Sequence, residues 1–161
     1  MTTLQPGDTF PSDVTFQAAS PLHAESRSNT MPPRSGRIRR SSFSRFPVPL
    51  PPTCSANHVP GYIQNLPKLK EKGVDIIAVL AFNDPFVMSA WGKVNGVRDS
   101  ILFLSDPDAK FSKSIGWADA ASGRTGRYAI VIDHGKISYA QIETERGAVK
   151  KSGADAVLAS L

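Results

Sequence analysis

The amino-acid sequence predicts an α/β domain of three layers, with helices on both faces of a central mixed sheet, and three observations carry the prediction. Residues 74–82 read VDIIAVLAF, a continuous apolar run rich in branched side chains and the pattern of a strand buried on both faces. From residue 55 onward, segments of helical character and apolar runs of strand length follow as helix, strand, helix, strand, helix, hairpin, helix. The 161 residues are 40% hydrophobic and 20% charged, the balance of one ordinary globular domain.

Each element has its own signal. The opening 1–19 contains GDTFPSDVTF and reads as a strand or hairpin remnant. Residues 20–52 follow as a basic irregular segment: 21–52 hold seven of the 13 prolines, many serines and no lysine, with neither a strand nor a helix period. The domain proper is assigned to 53–161. SANHVPGYIQNLPKLKEKG predicts a helix interrupted by Pro60 and Pro67 and stopped at Gly73. After the strand at 74–82, Asp84 followed by Pro85 predicts an N-cap and first helical residue. ILFLSD is a second buried strand, and DPDAKFSKSIG a short helix capped by Asp106. RYAIVIDHGKISYAQIE predicts a hairpin turning at Asp133, His134 and Gly135. SGADAVLASL closes as a helix.

Charge and cysteine counts narrow the function. The net charge is +5, and residues 25–45, with six arginines against Glu25, supply all of it. The basic character therefore belongs to one stretch, not to the domain. The single cysteine, Cys54, forms no internal disulfide, and with three scattered histidines it completes no four-ligand zinc site. No apolar stretch approaches the roughly 20 residues needed to span a bilayer, and MTTLQPGDTF has no signal-peptide core. The expectation is a soluble, intracellular chain that binds neither metal nor membrane.

PTCSANHVPGYI, VDIIAVLAFNDPFVMSAWGK, ILFLSDPDAKFSKSIGW and RYAIVIDHGKISY together resemble the atypical type-5 branch of the peroxiredoxins, from Pro52 nearly to the end, with a weaker likeness in GDTFPSDVTF. The resemblance implies a thioredoxin-like fold and reduction of hydrogen peroxide or alkyl hydroperoxides, in antioxidant defence, by a peroxidatic cysteine at the start of the first long helix. Cys54 occupies that position. The chemistry needs a thiolate, which a helix N-terminus and a nearby cation favour. By motif position the cation is Arg127 of GRYAIVID, whose fixed charge and forked donors suit both thiolate and peroxide oxygens. With no second cysteine, the resolving thiol comes from outside, from thioredoxin, glutaredoxin or glutathione, and no other cofactor is implied. Relatives commonly form homodimers, for which the helix around Trp91 offers a contact. The cytosol is the default compartment, with mitochondria and peroxisomes as alternatives; the terminal Ala159, Ser160 and Leu161 lack the basic residue of the peroxisomal S-K-L address.

One stretch departs from that family. Its members carry P-G-A-F-T-P-x-C, with a threonine hydroxyl bonded to the sulfur, and a buried apolar strand before it. Here the threonine position holds Pro51, and Thr53, adjacent to the cysteine, is no substitute. The genetic code accounts for the departure. A family-like segment KEWPDKKVILLSVPGAFTP, written with suitable synonymous codons and read one base later, gives RSGRIRRSSFSRFPVPLP, which is this chain from Arg34 to Pro51. One extra cytosine then restores the frame at Pro52. Residues from about 20 to 51 are accordingly read as frame-shifted translation, with one family strand missing from the sheet.

Other features have plainer readings. His58, one helical turn after Cys54, is imaginable as a general base, but packing accounts for it better. His134 is a turn residue. Asp106 and Asp108 cap a helix rather than bind metal. Trp91, Trp117, Phe82, Phe86 and Phe111 belong to core or subunit contact. The arginine-rich segment has the composition of a nucleic-acid arm, yet frame-shifted sequence explains it without a nucleic-acid partner. The competing functional class is a thioredoxin-like domain disabled by Pro51 and acting as a binding module through that arm.

Overall fold

The computed structural model describes residues 3–19, 26–30, 40–45, 57–97, 100–118, 125–145 and 147–161, with segments 26–30 and 40–45 described through their backbone. The elements, in chain order, are β1 (Thr15–Ala19), β2 (Ser26–Thr30), β3 (Arg40–Arg45), α1 (Val59–Gln64), α2 (Leu66–Glu71), β4 (Ile76–Ala81), α3 (Pro85–Val94), β5 (Leu102–Ser105), a 3-10 turn (Pro107–Ala109), α4 (Lys110–Ser114), β6 (Tyr128–Asp133), β7 (Lys136–Ile142) and α5 (Ala154–Ser160). They form one seven-stranded mixed sheet in the order β2-β1-β5-β4-β3-β6-β7. β4 runs parallel to β3 and β5, while β6 is antiparallel to both β3 and β7.

The central strands explain the layers. In β4, Ile77, Val79 and Ala81 join Val59, Tyr62, Leu69, Met88, Trp91 and Val157 in the cluster beneath α1, α2, α3 and α5. Ala78 and Leu80 point the other way, into a second cluster with Leu4, Phe10, Phe16, Phe111, Trp117, Tyr128 and Ile130. Alternation across a strand thus feeds two cores, which is why the run at 74–82 is apolar throughout. β6 is buried along nearly its whole length for the same reason, and among the two hairpin strands only β7 alternates with solvent.

The local signals act as the sequence suggests. Asp84 Oδ1 accepts from the amides of Phe86 and Val87 at 2.9 and 3.1 Å, capping α3. Pro60 and Pro67 each sit in the first turn of a separate helix, where a missing N–H costs nothing, so the expected interruption is a break at Asn65 between α1 and α2. Asp106 caps α4 from a distance: its carboxylate accepts from the amides of Phe111 and Ser112 at 3.0 and 3.3 Å. His134 and Gly135 turn the hairpin with φ of 49° and 84°, the left-handed pair that a two-residue turn requires. Gly92 lets α3 lie against β5, since a Cβ there would come within 2.9 Å of the Phe103 ring.

One expectation is corrected. The sheet was expected to lack a family strand, yet β3 fills the position between β4 and β6, with Ser42 opposite Ile77 and Val131 and Ser44 opposite Val79 and Ala129. The physical reason is that two central strands offer facing rows of backbone donors and acceptors, and only a third strand satisfies both. Any residue except proline provides those groups, so RSSFSR serves the ladder although its apolar content predicts no strand. β2 likewise lies within the segment read as irregular; the rest of that segment is outside the described residues.

Candidate active site

The site is built where α1, the start of β6 and the loop before α5 meet. Arg127 immediately precedes β6 and is half-buried. Its guanidinium Nη1 donates to the Ala148 carbonyl at 2.7 Å, and its own carbonyl accepts from the Glu143 amide at 2.8 Å. The pairing of β6 with β7 fixes the backbone, while residues 147–152 fix the side chain.

His58 opens the first helical turn and is 1% exposed. Its Nε2 donates to the Ser152 carbonyl at 2.8 Å, so the neutral ring carries its proton on Nε2, and Tyr62 Oη donates to the same oxygen at 2.9 Å. Burial lowers the His58 pKa to about 4, and the positive charge of Arg127 pushes it the same way. His58 is therefore a neutral packing histidine at physiological pH, in agreement with its plainer reading, and it stands within the electrostatic reach of Arg127.

Ser152 is a hub. Beyond the carbonyl shared by His58 and Tyr62, its amide and hydroxyl donate to Glu143 Oε1 at 2.7 and 2.9 Å, joined there by the Lys151 amide at 2.6 Å. Tyr139 Oη donates to the Lys151 carbonyl at 2.6 Å. Desolvation pushes the Glu143 carboxyl upward, but the amides of Ser152 and Lys151 and the Ser152 hydroxyl outweigh it, and the net shift is downward. A cavity of about 410 Å³ opens beside this hub, lined by Asn57, His58, Asn65, Lys150 and Asp155 among others. A larger one, about 570 Å³, lies across the sheet between the N-terminal segment and α4.

Of the two residues expected at the site, Arg127 is described, whereas Cys54 lies outside the described residues, as do the neighbouring Pro51 and Thr53. Glu143, Ser152 and Ala148 were not foreseen: Glu143 continues the alternation of β7 and reads as an ordinary exposed strand end. The Tyr62 contact was legible, because His58 and Tyr62 stand four residues apart on one helix face. Of the two readings of Trp91, core or subunit contact, the structure places it in the core: it is 6% exposed and meets Phe103 edge-on at 5.4 Å, while Phe86, Val87 and Val94 of the same helix are exposed. Among the described residues no cluster of three or more metal-ligating side chains occurs, and no helix is long and apolar enough to cross a membrane.

Comparison with known proteins agrees with this architecture. The family described as Redoxin matches residues 46–158. Peroxiredoxin Pen c 3 of Penicillium citrinum is 51% identical over 166 residues, covering 98% of this chain and 99% of its own. Reduced Prx3 of Vibrio vulnificus, solved in complex with hydrogen peroxide, superposes with a TM-score of 0.86 at 32% identity, over 98% of this chain and 99% of that one. Peroxiredoxin 5 of Alvinella pompejana does so with a TM-score of 0.75 at 30% identity, over 98% and 97%. The thioredoxin-like fold, the redoxin match and relatives at half identity lead to one conclusion: this chain belongs to the peroxiredoxins, the thiol-dependent peroxidases of the redoxin family.

Proposed function

We propose that this chain is a one-cysteine peroxidase in which Cys54 is the nucleophile and Arg127 the cation that keeps it ionised. The thiolate attacks one peroxide oxygen, the O–O bond breaks, and the departing oxygen takes a proton to leave as water or an alcohol. Cys54 becomes a sulfenic acid. An external thiol condenses with it, releasing water and forming a mixed disulfide, and a second thiol frees Cys54 as the disulfide of the donor leaves. The observation that carries this reading is the anchoring of Arg127 at 2.7 Å by Ala148, within electrostatic reach of the first turn that follows Cys54. A fixed guanidinium favours the thiolate and the negative charge that develops on the departing oxygen.

The donor is thioredoxin, glutaredoxin or glutathione, supplying the second thiol that a chain with one cysteine lacks. A homodimer is the proposed assembly, through the helix around Trp91, whose exposed Phe86 and Val87 offer the contact. Residues 53–161 carry the proposed catalytic residues, on a sheet that β1, β2 and β3 complete, and the cytosol is the compartment we assign.

The test is direct. The purified protein receives equimolar hydrogen peroxide and Cys54 is followed by intact mass. Sulfenic acid formed within seconds supports the reading; oxidation no faster than that of a free small-molecule thiol overturns it in favour of the disabled domain.

A further inference from the structure

We propose that Glu143 is a positioning residue for Arg127, acting through the loop of residues 147–152; this rests on the proposed role of Arg127. The bonds form a closed circuit. The Glu143 amide donates to the Arg127 carbonyl at 2.8 Å. The Glu143 side chain then collects Lys151 and Ser152 through three donors at 2.6, 2.7 and 2.9 Å, all on Oε1. The same loop presents the Ala148 carbonyl, which receives the Arg127 guanidinium at 2.7 Å. Glu143, at the end of β7, thereby holds the backbone of Arg127 through its own amide and, through its carboxylate, the loop whose Ala148 oxygen receives the Arg127 side chain.

The loop has other fastenings: the Ala148 amide donates to the Glu145 carbonyl at 3.2 Å, and Lys150 Nζ donates to Glu145 Oε2 at 3.2 Å. His58 and Tyr62 bond to the carbonyl of Ser152 and Tyr139 to that of Lys151, four and three residues from Ala148 respectively. The turn between is tight, since a Cβ on Gly153 would come within 2.6 Å of the Val149 carbonyl oxygen. Glu143 alone among the bonds described here takes the amide donors of Lys151 and Ser152 and so sets the direction in which the loop leaves them. Without its carboxylate the Lys151 and Ser152 amides lose that acceptor, and the loop, left on its remaining bonds, holds the Ala148 carbonyl less firmly relative to Arg127. The guanidinium is then held less closely in one orientation, and the stabilisation it offers a thiolate is weakened.

The experiment compares wild type with Glu143→Ala, Glu143→Gln, Arg127→Ala and the Glu143→Ala/Arg127→Ala pair. Three quantities are read: the second-order rate with hydrogen peroxide, the thiol pKa from thiolate absorbance, and the mobility of the Arg127 Nε–H by nitrogen relaxation. Glu143→Ala is expected to slow the peroxide reaction about tenfold, raise the thiol pKa and mobilise the Arg127 side chain. Glu143→Gln, which keeps an acceptor oxygen, restores most of the rate. In the Arg127→Ala background, removing Glu143 changes the rate no further. If Glu143→Ala fails to fold, Ser152→Ala, which deletes one of the three donors, shows a smaller change of the same sign. An Arg127 Nε–H as rigid in Glu143→Ala as in wild type overturns the proposal, as does a slowing that persists in full without Arg127. If Arg127→Ala itself leaves the rate intact, the role of Arg127 falls and that of Glu143 with it. If only Glu143→Ala is silent, the role of Arg127 stands and the positioning role is refuted.

Discussion

His58 and Ser152 are joined side chain to backbone across 94 residues of sequence, Nε2 to carbonyl at 2.8 Å, in a place where the imidazole is 1% exposed. The bond ties the first turn of α1 to the loop before α5 and makes the neutral form of the ring part of the folded state.

Protonation of His58 should therefore unfold the protein in acid. Its folded pKa, about 4, lies below the 6.5 of an unperturbed histidine, so the unfolded chain takes up the proton first. Stability is fully present above about pH 6.5 and declines as the pH falls toward 4, by on the order of 3 kcal/mol. The depressed Glu143 carboxyl adds loss in the same direction at lower pH. Urea midpoints measured from pH 7.5 to 4.5 should show this slope in wild type and a flatter one in His58→Phe, with a lower plateau.

Arg127 is testable by charge and shape separately. Arg127→Ala should reduce the peroxide rate by about 100-fold, the size of effect seen when a preorganised electrostatic donor is removed. Arg127→Lys keeps the charge without the fork and should fall between. Stopped-flow rates with the reduced protein settle both, and equal rates for all three would detach Arg127 from the chemistry.

Asp106 is 1% exposed and takes the Phe111 amide, the Ser112 amide and the Ser112 hydroxyl, the last at 3.2 Å. Ser112 Oγ in turn meets Tyr128 Oη at 2.9 Å. Asp106→Ala leaves buried donors without that acceptor and should cost about 3 kcal/mol, while Tyr128→Phe should cost about 1 kcal/mol. Denaturant unfolding of the two variants gives the comparison.

β3 makes the largest prediction. Replacing RSSFSR at 40–45 by KVILLS, the family-like reading in the alternative frame, sets Ile against Ile77 and Val131 and Leu against Val79 and Ala129. At roughly 1.5 to 3 kcal/mol for each buried aliphatic side chain, the exchange should stabilise the fold by at least about 3 kcal/mol, read as a higher melting temperature. Sequencing the transcript from the codon of Thr30 to that of Thr53 addresses the origin of the segment. An extra cytosine before the Pro52 codon is the expected result; codons with no near-family alternative frame would refute it.

Much of the architecture was legible because its signals are local. The apolar run at 74–82, the Asp84 and Pro85 pair and the His134 and Gly135 turn each specify an element through residues close in sequence. β3 was not legible, since its place is set by the unpaired edges of β4 and β6 and not by its own side chains. The site divides the same way. Arg127 came from a contiguous motif, whereas the grip of Glu143 on Ser152 joins residues whose surroundings in sequence look like solvated surface. A carboxylate that captures two consecutive amides leaves no periodic trace.

The two tryptophans stand on opposite sides of the sheet, Trp91 in the cluster under α3 and Trp117 against Tyr128 in the other. Each indole is an optical reporter for its own half of the interior. Fluorescence from single-tryptophan versions would reveal whether the two halves melt together or one loosens first, and so whether a serine-rich middle strand still transmits cooperativity from one side of the protein to the other.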